Sequence, residues 1–357
     1  MKGSRIVHSI VACVMALTPL SEVASQGFAG LASGAEGFEK PRKGNQLSFP
    51  QDHGAHSDFR IEWWYVTANL TAQDGRRFGA QWTLFRSALA PGDKPGWSDP
   101  QIWIGHAAVT SSERHYVSEK LARGGIGQAG VSTTPFEAWI DDWDINGLQG
   151  TSQDELDQLQ LKADGDDFSY SLSLATAKPL VLQGDNGFSL KSASGQASYY
   201  YSQPFYDVQG AIKLEGVDVT VSGKAWLDRE WSSQPLATDQ TGWDWFSIHF
   251  DDGSKLMAFR LRDNDGGFVS ANWISADGKT EILKPGDVRM SPLRSATVEG
   301  RAIPVAWRIE IPSRKLSIQT EPLNEQAWMK TTTPYWEGPI AVSGTASGVG
   351  YLEMTGY

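Results

Sequence analysis

The sequence predicts an all-β protein with two hydrophobic cores, and three observations carry that expectation. At 357 residues the chain is longer than one small barrel needs. It holds 37 glycines and 15 tryptophans, and glycine-bounded aromatic segments recur along its length, a pattern that suits short strands better than long helices. Asp74-Gly75 and Asp252-Gly253 each sit between apolar and aromatic runs, which is the signature of a tight hairpin.

The first 26 residues, "MKGSRIVHSIVACVMALTPLSEVASQ", place Lys2 and Arg5 before an apolar run and small residues around Ala24 and Ser25. That order predicts a signal peptide over residues 1–25, cleaved on export to the periplasm or the extracellular space. The run is short and contains His8, which disfavours a membrane anchor. Acylation at Cys13 is disfavoured because apolar residues continue past it. Cys13 is the only cysteine, so a mature chain would have no disulfide, thiol nucleophile or Cys-ligated zinc. The formal charge is −11, and losing Lys2, Arg5 and Glu22 removes one net positive charge, leaving −12. An acidic chain without a basic cluster is unsuited to nucleic acid.

Residues 26–45 are glycine-rich and aperiodic, a flexible leader. A first domain is expected over 46–236 and a second over 237–357. In "DFRIEWWYVT" (58–67), alternation puts Ile61, Trp63, Tyr65 and Thr67 on one face and Glu62, Trp64 and Val66 on the other. A two-residue turn at Asp74-Gly75 makes opposed numbers sum to 149, so Trp63 faces Arg86 and Tyr65 faces Leu84. The same turn at Asp252-Gly253 sets the sum to 505 and places Trp245 opposite Arg260. The shared Trp–Arg pair reads either as a structural repeat or as a coincidence, since Asp-Gly turns and tryptophans are common in this chain. In the second hairpin Phe246, Ile248, Phe250, Met257 and Phe259 form an apolar core face. Trp245, Ser247, His249 and Arg260 form a mixed face, which is either the wall of a ligand cavity or a solvated exterior. The C-terminal "YWEGPIAVSGTASGVGYLEMTGY" supplies two more strand candidates, one suited to closing a barrel.

Three clusters could carry chemistry. "FPQDHGAHSDFRIEWW" gathers Asp52, His53, His56, Asp58 and Glu62. Imidazoles with carboxylates could ligate zinc or iron, but the spacing constrains little in a loop, and no metal is expected. An acid/base set is preferred, with a carboxyl desolvated beside two tryptophans raised in pKa, and turn bracing is the alternative. "GKAWLDREWSSQP" places Asp228 and Glu230 on one face of a strand and Arg229 on the other. Two carboxylates on one buried face repel, so one is a candidate proton donor, unless the run is a surface ion-pair ladder. Tyr199, Tyr200 and Tyr201 in "ASYYYSQP" suit either a pocket rim or an edge strand. His106, alternating with Ile102 and Ile104, reads as a core histidine. No nucleophile elbow, P-loop or dinucleotide fingerprint is present.

"FPQDHGAHSDFRIEWWYVTANL", "GKAWLDREWSSQP", "GWDWFSIHFDDGSKLMAFR", "YWEGPIAVSG" and "GYLEMTGY", in that order, resemble the AttH family of secreted proteins, predicted hydrolases related to carotenoid 1,2-hydratases of the CrtC type. The resemblance spans about residue 47 to 357. It implies two consecutive lipocalin-like, calycin-type antiparallel barrels and an apolar small molecule or lipid as ligand. Hydratase-type chemistry protonates an alkene and quenches the carbocation with water, which requires a positioned acid and aromatic walls. On that basis Asp228, Glu230, His53, His56 and Glu62 are the acid/base candidates. Trp63, Trp64, Arg86, Trp231, Trp243, Trp245, His249 and Arg260 are the ligand-binding candidates. No cofactor is expected. The function expected is an exported hydrolase or hydratase acting by acid/base chemistry on a lipid-like or isoprenoid-like apolar molecule; the alternative is a non-catalytic lipid-binding carrier or chaperone of the cell envelope, one that could serve an export system.

Overall fold

The computed structural model describes residues 35–148, 153–284 and 286–357. The expected signal peptide, Cys13 and the first part of the expected leader lie outside the described residues. Two antiparallel sheets make up the fold, and each curls around its own core.

The first sheet contains β1 (Ile61–Ala72), β2 (Arg77–Ala88), β3 (Gln101–Thr110), β4 (His115–Arg123), β5 (Ala129–Thr133), β6 (Phe136–Ile140), β7 (Trp143–Gly147), β8 (Gln158–Asp164), β9 (Phe168–Ala175), β10 (Val181–Leu182), β11 (Phe188–Leu190), β12 (Ala197–Leu214) and β13 (Val217–Ser232). Its order is β4-β3-β2-β1-β13-β12-β9-β8-β7-β6-β5, with β10 and β11 on β12. Pairing β1 with β13 brings the two ends of the meander round, and the barrel nearly closes. Lys120 of β4 bridges the remaining gap by pairing with Asp142 beside β7.

The second sheet contains β14 (Gly242–Phe250), β15 (Lys255–Arg262), β16 (Phe268–Ile274), β17 (Thr280–Leu283), β18 (Arg289–Val298), β19 (Arg301–Ile311), β20 (Leu316–Pro322), β21 (Trp328–Met329), β22 (Tyr335–Gly344) and β23 (Gly348–Met354). Its order is β17-β16-β15-β14-β23-β22-β20-β19-β18, a half-barrel in which the first strand again pairs with the last. The fold is thus all-β with two lipocalin-like units, as the sequence predicts.

The hairpin registers differ from the sequence expectation by one residue. The Ala72 N–H bonds the Arg76 carbonyl and the Gly75 N–H bonds the Ala72 carbonyl, at 2.9 and 3.0 Å. Phe250, Gly253 and Ser254 repeat this arrangement. Both loops therefore hold three residues, with Gly75 and Gly253 at φ +86 and +88 as left-handed bulge residues. Opposed numbers sum to 148 and 504, and a slip of one residue moves every side chain on the second strand to the other face. Trp63 faces Phe85 and Trp245 faces Phe259, so the expected Trp–Arg pairs do not form.

Both arginines instead turn into their own barrels. Arg86 faces and pairs with Glu62, and Arg260 faces and pairs with Asp244, Arg260 Nε donating at 2.9 Å. The two hairpins thus share an acid facing an arginine. Met257 and Phe259 leave the expected core face, which Leu256 and Ala258 fill.

A third apolar cluster lies between the barrels. Tyr65, Tyr200 and Trp226 of the first pack on Trp245, Met257, Phe259 and Tyr351 of the second. The approach is close: a Cβ added to Gly79 of β2 would lie 2.6 Å from Pro339 Cγ of β22. This seam holds the candidate site.

Candidate functional site between the barrels

Alternation along two paired strands builds one wall. Tyr65 lies directly opposite Asp228, and Trp63 opposite Glu230. All four therefore share the outer, seam-facing side of the first barrel. Glu62, Trp64, Arg229 and Trp231 point into the barrel instead. Trp243 and Trp245 of β14 and Phe259 of β15 supply the facing wall. These residues enclose a cavity of about 220 Å³ lined mostly by apolar and aromatic surface.

Asp228 is 2 % exposed and lines the cavity. Its Oδ1 accepts from Trp226 Nε1 at 2.7 Å and from Ser202 Oγ, and its Oδ2 accepts from Tyr200 Oη at 3.0 Å. Trp245 Nε1, from the second barrel, donates to Tyr200 Oη at 3.2 Å. Burial raises the Asp228 pKa to about 7; the three donors oppose the rise and the nearby Glu230 adds to it. A carboxyl poised near neutrality is what general-acid chemistry needs.

Glu230 is held by Lys191, whose Nζ lies 2.7 Å from Oε1. That ammonium also sits over the Tyr200 and Phe259 rings, 4.8 and 4.3 Å from their centroids. Two further carboxyls come from the second barrel, on residues directly opposite each other across β22 and β23: Glu337 and Glu353. Glu337 accepts from Tyr65 Oη, and Glu353 Oε1 accepts from Trp243 Nε1 at 2.9 Å. Burial raises Glu353 to about 8, with Asp228 and Glu230 adding to the shift. Burial and Glu353 together raise Glu337 well above the carboxylate range.

The other predicted acid/base residues stand across the sheet. His53 Nδ1 lies 2.7 Å from Tyr201 Oη, and its Nε2 is 3.2 Å from Asp154. His56 stacks on Trp231 with centroids 4.1 Å apart and contacts Glu62 and Asp52 at 3.1 Å. Glu62 corrects the sequence expectation. Burial alone would raise its pKa, but Arg229 and Arg86 pull it below the usual carboxylate range. It is an anchor that stays charged across the neutral range, and not an acid. Arg86 also donates to the His56 and Phe59 carbonyls at 2.8 Å, and Arg229 lies 3.8 Å over Trp64.

Of the predicted ligand-binding set, Trp63, Trp243 and Trp245 line the cavity; Trp64, Arg86 and Trp231 belong to the network inside the first barrel. Arg260 lies inside the second barrel on Asp244, 4.9 Å over Trp307. His249 shares the seam face but packs edge-on to Trp226 outside the cavity lining, its pKa lowered to about 3 by burial, Lys255 and Lys224. Sequence reasoning gave no site role to Lys191, Tyr65, Tyr335, Glu119, Glu337 or Glu353, all cavity-lining except Glu337. The one available signal was an isolated acid in each of the apolar strands "YWEGPI" and "GYLEM". Among the described residues no three His, Cys, Asp or Glu side chains converge as metal ligands.

The AttH-like family profile matches residues 40–357. The crystal structure of a protein assigned as AttH from Nitrosomonas europaea aligns at TM-score 0.80 and 36% identity, covering 90% of this chain and 99% of that one. Kievitone hydratase from Nectria haematococca aligns at TM-score 0.67 and 16% identity over 91% and 98% of the two chains. CghA, solved with Sch210972, aligns at 0.54 and 13% over 90% and 97%. No curated protein sequence matches the chain.

Proposed function

The chain belongs to the AttH-like family, and from that premise we propose that its seam cavity is the active site of a hydratase acting on an apolar, isoprenoid-like or lipid-like molecule. Asp228 is the proton donor. The observation that carries the proposal is a carboxyl 2 % exposed that lines an aromatic cavity, with neutral hydrogen-bond donors and, among the described residues, no paired cation. Such a group keeps its proton near neutral pH and can transfer it to an alkene carbon. The C=C π bond breaks, a C–H bond forms, and the positive charge on the neighbouring carbon is stabilised by the faces of Trp63, Trp243 and Trp245. Water then adds to that carbon. A hydratase among the solved structures of this fold supports the reaction class.

Export of the mature protein through a cleaved leader is part of the proposal, and it rests on residues 1–25 alone. The test incubates the full mature chain with geraniol, farnesol and squalene in D2O and in H2 18O, following carbon-bound deuterium and oxygen-18 by mass spectrometry. Incorporation of both labels, lost in Asp228→Asn, is expected. Tight binding of these molecules with neither label incorporated would favour the carrier function instead.

A further inference from the structure

The wall of the cavity formed by β3, β4 and β22 carries a second polar constellation that the proton donor does not use. His106 of β3 is 3% exposed and lines the cavity. Its Nε2 lies 3.1 Å from Glu119 Oε1 on β4, and its Nδ1 lies 3.0 Å from Tyr335 Oη on β22. Glu119 is itself held, accepting from the Thr332 N–H at 3.0 Å and from Thr332 Oγ1 at 2.8 Å. The chain crosses the seam, since His106 and Glu119 belong to the first barrel and Tyr335 to the second.

The hydrogen bonds dictate the tautomer. Burial lowers the His106 pKa, Glu119 partly opposing it, so the ring is neutral near pH 7. The Glu119 pKa is lowered, burial being outweighed by its bonds to His106 and Thr332, so it is a carboxylate that can only accept. The single ring proton therefore sits on Nε2, and the Nδ1 lone pair faces the Tyr335 hydroxyl. A base whose far nitrogen is fixed by a carboxylate and whose near nitrogen points at a hydroxyl follows the logic of a catalytic triad. Glu119 keeps 20% of its side chain exposed, whereas Asp228 is almost wholly enclosed.

We propose that Glu119, His106 and Tyr335 form the base half of the site, opposite the acid half at Asp228. The assignment rests on the hydration reaction proposed above. As water adds to the carbocation, a C–O bond forms and one water O–H bond breaks. That proton passes to Tyr335 Oη while the phenol's own proton moves to His106 Nδ1. The products are an imidazolium paired with Glu119 and an Asp228 carboxylate, and one proton returned from His106 to Asp228 through solvent resets both. Tyr335 touches the reacting water, and His106 and Glu119 act through it as positioning residues. Glu119 is the charged group facing His106, and Tyr335 also hydrogen-bonds the Glu337 carboxyl two residues along its own strand. Burial and Glu353 keep Glu337 protonated, so it can donate to Tyr335 Oη and leave the phenol proton to His106 Nδ1.

The test uses the full mature chain with geraniol, farnesol and squalene, following kcat and KM across pH. In His106→Gln and Tyr335→Phe, kcat should fall at least about tenfold with KM within about threefold. The acidic limb of the wild-type profile, set by His106 protonation, should vanish in His106→Gln while the alkaline limb set by Asp228 stays. Nitrogen-15 NMR of histidine-labelled wild type should show His106 protonated at Nε2 and not at Nδ1. Full activity and an unchanged acidic limb in His106→Gln and Tyr335→Phe, with activity lost in Asp228→Asn, would overturn the relay alone. An Nδ1–H tautomer would overturn it as well. Turnover of none of the three alkenes would remove the hydration reaction and the relay together.

Discussion

Glu62 and Asp228 are buried carboxyls on paired strands, and they behave in opposite ways. Glu62 points into the first barrel and meets two guanidinium groups, so it is held as a carboxylate. Asp228 points into the seam and meets an indole, a hydroxyl and a phenol, so it holds its proton up to about 7. Each costs energy to charge in a low dielectric, and only the first has cations to offset that cost. Burial therefore does not decide whether a carboxyl is an anchor or an acid. The neighbours on its own face of the sheet do.

Removing the anchor is the most severe way to break this contrast. Glu62→Gln leaves Arg86 and Arg229 buried without a counter-charge, and a loss of about 3–5 kcal/mol in urea denaturation is expected. A loss under about 1 kcal/mol would mean that the arginines find other acceptors.

The pH dependence of stability sharpens the contrast next. The Asp228 pKa is raised from 3.8 unfolded to about 7 folded, so its contribution to stability is full below pH 3.8 and is lost as pH rises through 7. A shift of that size corresponds to on the order of 4 kcal/mol. Glu353, raised to about 8, extends the decline upward. Glu62 has the reverse sign: its contribution is present above its ordinary 4.5 and is lost only in strong acid. Denaturation midpoints should therefore fall between pH 5 and pH 9, and the fall should be shallower in Asp228→Asn. An identical slope in that variant would show that Asp228 is ionised throughout.

The mildest change is Tyr200→Phe, which removes one of the three donors to Asp228 and costs about 1 kcal/mol. With one fewer bond favouring the carboxylate, the Asp228 pKa should rise further. The alkaline limb of the activity profile should then move to higher pH. A limb that stays in place would show that Tyr200 does not tune Asp228.

Much of the fold was legible because strands announce themselves locally. The two turns, the aromatic strands and the parity that puts Asp228 and Glu230 on one face and Arg229 on the other all follow from neighbouring residues. The turn length did not, since Asp-Gly suits both a two-residue loop and the last two positions of a three-residue loop. That one residue carried Arg86 and Arg260 away from the tryptophans and into the barrels. Grouping the histidines with Asp228 and Glu230 failed for a related reason. The two clusters flank one another across a single sheet, and sequence proximity does not report which side a loop folds over.

What the sequence determined by itself was the all-β class, the family and the acid pair on β13, because alternation and motif order are properties of contiguous residues. Only the tertiary structure decided which carboxyl keeps its proton near neutral pH. Glu353 and Tyr335 reach the cavity from the far end of the chain, with Glu337 beside them, and Trp245 meets Tyr200 only once the barrels dock. A proton affinity depends on every charge and donor within a few ångströms, and in this protein most of those neighbours are distant in sequence.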